Sequence, residues 1–301
     1  MGVAYGCSSK CCRLTQSDDL DLKQGDLFSV QLESQSPRPT APAESGGDLE
    51  GDGLSARALR NRFEHGSDEL LALPAVDARE LEERPIYTFK VGGTYAGQWL
   101  GNTRHGYGVQ RWPTGEIFEG QWERDCANGM GRFTYSNDDI YIGEWKDNMA
   151  CGLGSYYQKD SVAYQGTWAQ DAQDGFGVET WSDGLIYHGE FVAGQKQGYG
   201  IYVWACGSTY IGAWDENTIN GVGTYASDDG RSYDGCWNDA VIHGVGRYAW
   251  KDGRYYEGQY ACDKKHGYGK YTWPNGRIVQ GFWYEGKPCP SKKSPTQGVG
   301  T

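Results

Sequence analysis

A chain of 301 residues with 46 Gly, 14% aromatic and only 38% hydrophobic residues does not describe one large aliphatic core. Its formal charge of −12 argues against a nucleic-acid partner. No apolar run approaches the length of a bilayer span, the longest tract of interest being residues 70–76. The N-terminus has no basic segment followed by an apolar one, so no secretory leader is expected, and the nine Cys are expected as thiols inside the cell. The net charge hides a gradient. Residues 1–85 carry 9 Lys and Arg against 16 Asp and Glu, residues 86–246 carry 9 against 20, and residues 247–301 carry 10 against 4. An acidic body thus ends in a basic segment.

The first thirteen residues read as an acylatable segment. Gly2 follows the initiator Met, but the position where a myristoylation signal places Ser or Thr holds Gly6. Cys7, Cys11 and Cys12 supply palmitoylation candidates, and one myristoyl chain needs such a second signal for stable anchoring. Membrane association through Gly2 and these cysteines is the expectation. Residues 14–52, rich in Ser, Asp, Gln, Gly and Pro, read as a disordered linker because they hold too little apolar surface to order themselves. Residues 53–85 turn helical in composition, broken at Gly66 and Pro74 and stopped by Pro85. They are expected to form short helical segments, either packed as a cap on the region beyond residue 85 or carried on a tether.

From about residue 86 to 290 one grammar recurs every 23 residues without insertion. Tyr95-Ala96-Gly97-Gln98-Trp99 is its first block and His105-Gly106-Tyr107-Gly108 its second. First-block glycines fall at Gly97, Gly120, Gly143, Gly166, Gly189, Gly212, Gly235, Gly258 and Gly281, and all 12 Trp lie between Trp99 and Trp283. Aromatic, Gly and aromatic at alternate positions share one face of a strand. The Gly-x-Gly block sets two glycines on one face of the next strand, so a neighbouring ring is expected to lie over bare backbone. The opposite face carries Tyr107, Met130, Leu153, Phe176, Tyr199, Val222, Val245 and Tyr268, read as further packing surface. Turns such as Trp181-Ser182-Asp183-Gly184 and Trp273-Pro274-Asn275-Gly276 are hairpin signals in which both Asx and Gly tolerate positive φ. The fold class expected is all-β: an elongated single-layer antiparallel sheet of tandem β-hairpins, about 80 Å long at the ordinary strand spacing.

These blocks, Tyr-x-Gly-x-Trp followed by Gly-x-Gly at a 23-residue interval, resemble the MORN (membrane occupation and recognition nexus) repeat. The resemblance covers eight copies and a partial ninth, in which Val279 replaces Tyr and Pro288-Cys289-Pro290 replaces the second block. Local departures are Phe118 for Tyr, Phe191 and Tyr260 for Trp, Gln158 and Ser227 for an aromatic, and Asp138 and Ser161 for a turn Gly. The resemblance implies an elongated sheet used in scaffolding, membrane–cytoskeleton junctions and homodimerisation, with phospholipid binding often proposed. It does not imply catalysis.

The residues themselves assemble no nucleophile, base and oxyanion donor, so no catalytic residue, cofactor or small-molecule substrate is expected. None of the Gly-x-Gly blocks continues into the Lys and Ser/Thr of a P-loop. Asp174-Gly175-Phe176-Gly177 lacks the catalytic loop of a kinase, and His188-Gly189-Glu190 lacks the cysteines of a zinc deaminase. His105, His243 and His266 share a register with Asn128, Asp174, Gln197 and Asn220, which reads as a loop hydrogen-bonder, not a ligand. Cys126, Cys151, Cys206, Cys236, Cys262 and Cys289 lack metal-ligand spacing and read as small buried or half-buried residues, so no metal is expected.

Two features are left for function. The final half-repeat is expected to leave an open strand edge at Val279, Gly281 and Trp283, through which the C-terminal repeats form a homodimer. The basic end, with Lys264, Lys265, Lys270, Arg277 and Lys287 before a basic tail over 291–301, is a candidate contact for anionic lipid or an acidic partner. Together they suggest a non-enzymatic, membrane-tethered scaffold at the cytoplasmic face of a membrane or the cell cortex. The alternatives are a phosphoinositide-binding module and an accessory subunit of an enzyme complex. The acidic count over residues 86–246 weighs against lipid binding by the repeats as a whole.

Overall fold

The computed structural model describes Phe63, residues 67–73 and residues 80–289. Gly2, Cys7, Cys11, Cys12, the linker and the basic tail lie outside the described residues. Among those described, Ser67–Leu71 forms a five-residue helix, and no helix is long and apolar enough to cross a membrane. From Glu82 onward every regular element is a strand. The chain divides into two compact units, one running up to Tyr202 and including 214–217, the other made of 203–213 and the residues from Thr218 on.

Within each unit the strands form an open antiparallel sheet of consecutive hairpins, as the repeat predicts. Thr94–Leu100 pairs with Thr103–Arg111, which pairs with Ile117–Glu123, and so on. The register is fixed by glycine facing glycine. In the first unit Gly97, Gly108, Gly120, Gly131, Gly143, Gly154, Gly166, Gly177 and Gly189 are successive cross-strand partners. In the second, Gly223, Gly235, Gly246, Gly258, Gly269 and Gly281 continue the same way.

The reason is the ring beside them. Tyr95, Phe118, Tyr141, Tyr164, Tyr187, Tyr210, Tyr233 and Tyr256 are all fully buried, each lying flat over the second glycine of its own Gly-x-Gly block. A methyl group on Gly131 would meet Phe118 at 2.5 Å, and one on Gly154 would meet the Tyr141 ring at 2.7 Å. Each tyrosine also donates from Oη to the carbonyl three residues on, as from Tyr95 to Gln98 at 2.9 Å and from Tyr164 to Thr167 at 3.0 Å. Burial pushes these phenols up, Tyr256 to about 12, so they remain protonated donors.

Edge-to-face contacts join the rings into a column within each unit. The Tyr141 ring lies 5.2 Å from Trp145 of its own repeat and 5.0 Å from Trp168 of the next. Such pairs contribute about 0.5–1.5 kcal/mol each beyond burial. The indole N–H then reaches back one repeat, Trp122 to the Gly108 carbonyl, Trp145 to Gly131 and Trp237 to Gly223, at 3.1–3.2 Å. The indole nitrogens of Trp99, which has no preceding repeat, and of Trp283, which has one, are buried without a partner, and the Arg84 guanidinium lies 5.2 Å over the Trp99 ring.

The first glycine of each Gly-x-Gly does something else, contrary to the expectation that both are bared for rings. It sits at a β-bulge in left-handed backbone, as at Gly106 (φ 66) and Gly129 (φ 93), where the register slips between Gly97 and Trp99 and again between Gly120 and Trp122. The N–H freed by the bulge is taken by the side chain between Gly and Trp of the first block. Gln98 Oε1 accepts it from Tyr107 at 2.9 Å, Gln121 from Met130 at 2.6 Å and Glu144 from Leu153 at 3.0 Å.

The turns also divide differently from the expectation. In the Asp-Gly turns only glycine is left-handed, as at Gly184 and Gly253, while Asp183 and Asp252 accept the N–H two residues on. The two-residue turns with both residues left-handed connect the first strand of each repeat to the second, at Arg124-Asp125, Asp147-Asn148 and Glu216-Asn217 among others. Their second residue accepts an N–H from the preceding repeat, Asn148 from Ala127 at 2.7 Å and Asn217 from Lys196 at 2.8 Å.

Gly154→Ala drives a methyl into the Tyr141 ring and is expected to cost about 2 kcal/mol, read as a fall in the urea midpoint. Gln121→Ala, which frees only an N–H near solvent, is expected to cost less than half as much.

Candidate protein-binding surface

The inner face, built by the rings, is occupied. Phe63 is fully buried on it, its ring 5.2–5.9 Å from Trp112, Phe118, Trp122, Phe133 and Trp145, and its carbonyl accepts from Arg104 Nη2 at 3.1 Å. Arg104 itself is fully buried against the Trp122 ring at 4.4 Å and paired with Asp125 at 3.2 Å. From the helix Ser67–Leu71, Leu70 is buried, and Glu69 accepts from the Tyr87 hydroxyl and the Lys90 N–H, both at 2.8 Å.

Six repeats further on, the register positions of the rings around Phe63 are Trp250, Tyr256, Tyr260, Tyr271 and Trp283, and the equivalent of Ala127 is Lys265. The Lys265 ammonium lies 4.9 Å over Trp250, 5.0 Å over Tyr271, 5.5 Å over Trp283 and 5.6 Å over Tyr256. Lys196 fills the corresponding cage of its own repeat, 4.8 Å over Trp181 and 2.6 Å from Glu179. Lys265 is therefore half-buried on the ring-bearing face, with its ammonium held over four rings.

The other members of the basic end lie elsewhere. Lys264 is ion-paired with Glu285, the Arg277 guanidinium rests 4.8 Å over Trp273, Lys270 faces Glu257 and Gln280 in the ladder, and Lys287 is exposed. The expected open edge is half closed. After the turn at Glu285-Gly286 the chain folds back, pairing Trp283 with Pro288 and Tyr284 with Lys287, and Cys289 donates to the Phe282 carbonyl at 2.7 Å. Trp283 is buried inward, so of the three edge residues only Val279 and Gly281 remain on the unpaired stretch.

The His register holds loop hydrogen-bonders at three of its positions, while His266 Nδ1 is buried without a hydrogen-bond partner. His105 Nδ1 accepts from the Arg124 N–H at 3.4 Å, Asn128 from Asp147 at 3.2 Å and Gln197 from Glu216 at 3.0 Å. Cys126, Cys151, Cys206 and Cys236 are half-buried, whereas Cys262 and Cys289 are exposed, against the expectation for those two. Among the described residues no three His, Cys, Asp or Glu side chains converge as a metal site would require.

The surface left over is the outer face, and here the structure departs furthest from the expectation. The residue between the two glycines is not packed. Tyr107, Met130, Leu153, Phe176 and Tyr199 in the first unit are 54–70% exposed; Val222, Val245 and Tyr268 in the second are 48–62% exposed. Ile142, Tyr157 and Ile201 widen the row in the first unit. None of the described residues covers this face, because the sheet is a single layer and the bulge turns this position away from the rings. Two open grooves lie along it. One of about 630 Å³ runs past Gln98, Tyr107, Gln121 and Asn128; the other, about 300 Å³, lies between Met130, Ile142 and Leu153. Neither holds a cluster of convergent charged groups. The signal was visible as an apolar residue in every copy; what periodicity could not tell was whether a second layer covers it.

The MORN repeat family model matches residues 95–117, 118–140, 141–161, 164–186, 187–209, 210–230, 233–253 and 256–276. No curated protein matches the chain. Among solved structures, the wild-type TCP10 domain of Danio rerio CPAP is similar at 11% identity, covering 65% of this chain and 92% of that one, with a TM-score of 0.38. The SAS-4 (dCPAP) TCP domain of Drosophila melanogaster, solved with a proline-rich motif of Ana2 (dSTIL), has 15% identity, covers 69% and 97%, and has a TM-score of 0.30. A virginiamycin B lyase of Staphylococcus aureus has 13% identity, covers 67% and 73%, and has a TM-score of 0.15.

Lys265→Ala, which empties the cage, is expected to lower stability by on the order of 2 kcal/mol. Lys264→Ala, losing one exposed ion pair, should stay within about 0.5 kcal/mol, and urea unfolding of the two variants distinguishes them.

Proposed function

The chain belongs to the MORN repeat family, and on that premise we propose that it is a non-enzymatic protein-binding scaffold, tethered to a membrane by its N-terminal arm. One observation carries the binding role: each Gly-x-Gly repeat commits its rings and the glycine beneath them to the inner face and leaves an apolar side chain exposed on the outer one. An exposed apolar side chain recurring in this way along one face of each unit is uncommon on a surface with no partner. Its grooves are open, and no set of charged groups converges in them, which suits a protein surface better than a small substrate.

The tether rests on Gly2 with Cys7, Cys11 and Cys12, which together supply the two acyl signals that stable anchoring needs. In this reading the arm holds the repeats at the cytoplasmic face of a membrane or the cell cortex, where the outer face gathers cytoskeletal or signalling partners. Direct phosphoinositide binding by the repeats is the weaker reading. Lys265 is turned inward and Lys264 is engaged by Glu285, so the basic end presents less free charge than its sequence suggests. Dimerisation by strand addition at Val279 and Gly281 is likewise narrowed by the back-folded Lys287-Pro288.

The tagged protein is expected in the membrane fraction, and Gly2→Ala and a triple Ser variant at Cys7, Cys11 and Cys12 are each expected to move it to the soluble fraction. Unchanged partitioning of both variants would overturn the tether. For the binding role, Met130→Asp with Val245→Asp should strip co-purifying proteins while leaving the fold intact; an unchanged set would overturn it.

A further inference from the structure

The pairing of the last long strand, Ile278–Tyr284, stops short for a reason that the repeat makes visible. In the preceding copies the second strand passes its bulge on a glycine in left-handed backbone, as at Gly244 (φ 81) and Gly267 (φ 59). One repeat after Gly267 stands Pro290, whose ring holds φ at about −65°, so that bulge cannot form and the pairing ends at Pro288. The Phe282 carbonyl still accepts from the Cys289 N–H at 2.7 Å. Backbone direction alternates along a strand, so Ile278 and Gln280 point their N–H and C=O groups to the same side as Phe282. Among the described residues nothing pairs with residues 278–281 on that side.

The inner side of this edge also differs from the others. A tyrosine at the register of Val279 would cover the glycine of the next strand, as Tyr256 covers Gly269. Valine cannot. A methyl group on Gly258 would meet Tyr256 Oη at 2.6 Å, whereas one on Gly281 meets nothing within 4 Å. The strand that completes this edge therefore needs no glycine, and it has room for a ring over Gly281.

Outside the described residues, one run has the pattern of a strand. Between Gly25 and Pro37 lies Asp26-Leu27-Phe28-Ser29-Val30-Gln31-Leu32-Glu33, in which Phe28, Val30 and Leu32 alternate with polar residues. Phe28 is the only aromatic residue between Tyr5 and Phe63. Its flanking carboxylates, Asp26 and Glu33, complement an edge bounded by Arg277 and Lys287.

We propose that residues 28–31 add to residues 278–281 as a last antiparallel strand, with Phe28 opposite Gly281, Ser29 opposite Gln280, Val30 opposite Val279 and Gln31 opposite Ile278. The Phe28 ring lies on the bare backbone of Gly281, and Val30 packs on Val279. Asp26 falls toward Lys287 and Glu33 toward Arg277. The run holds too little apolar surface to order itself, and the edge supplies the backbone partners it lacks.

Size selects this occupant over a strand from another protein. Four paired residues bury well under the roughly 1,200 Å² of a stable interface between separate molecules. A segment of the same chain is instead presented at an effective concentration on the order of a millimolar. Residues 34–62, which join it to Phe63, extend to about 95 Å.

Hydrogen exchange of the full-length protein, resolved to the single amides of Ile278 and Gln280, tests the assignment. Both N–H groups are expected to be protected in wild type, equally at every protein concentration. Ser29→Pro removes the N–H that donates to the Gln280 carbonyl, and Phe28→Asp puts a carboxylate against the rings. Each is expected to speed exchange at Ile278 and Gln280 at least tenfold and to leave the rest of the ladder unchanged, since neither residue belongs to the described sheet. Exchange of these two amides in wild type at the rate of an open edge, protection indifferent to both variants, or protection lost on dilution would each overturn the inference.

Discussion

The structure depends on one contact, an aromatic ring laid on a glycine that has no side chain to hold it off. Because the ring needs bare backbone beneath it, glycine must face glycine across every strand pair, and that requirement sets the register. The tyrosine hydroxyl closes onto its own strand three residues on, and the indole N–H of Trp122, Trp145, Trp168 and Trp237 closes onto the glycine carbonyl one repeat back. Ring packing, reinforced at these four by the hydrogen bond, joins a repeat to its predecessor, the nearest-neighbour coupling by which repeat proteins gain stability. The 23-residue interval admits no insertion because one extra residue would turn every ring to the opposite face.

The same constraint sorts the residues that look alike in sequence. Glycine appears twice in each second block, and alternation alone assigns both to the ring. Only the backbone shows that Gly106 is left-handed at a bulge while Gly108 lies under Tyr95. The strict interval, the ring–glycine pairing and the hairpin order were legible because they follow from period two and from residue size. Less legible were features that depend on dihedral angles. Arg124-Asp125 and Asp147-Asn148 turn the chain without a glycine, so they carry no glycine punctuation, and Asp183 and Asp252 proved to be acceptors instead of left-handed residues.

Charge was the other place where counting residues misled. Lys264 and Lys265 are neighbours in sequence and contribute equally to a basic end, but successive strand residues point to opposite faces. One is ion-paired with Glu285 and the other, half-buried, holds its ammonium over four rings whose register equivalents six repeats earlier pack around Phe63. Lys196 repeats the arrangement beside Glu179. The inner face accepts a ring or a cation over the same cage, consistent with the attraction of an aromatic face for both. It is a packing device, and the apolar residues of the outer face take no part in it.

That division between a face that holds the sheet together and a face that meets other molecules is tested most directly by thermal unfolding of two matched variants, Tyr141→Leu on the inner face and Met130→Asp on the outer. A fall of several degrees is predicted for Tyr141→Leu, which removes a buried hydroxyl contact and two ring pairs. For Met130→Asp, at a position 54% exposed, the predicted Tm stays within about two degrees of wild type. A Met130→Asp protein that unfolds as early as Tyr141→Leu would contradict the division.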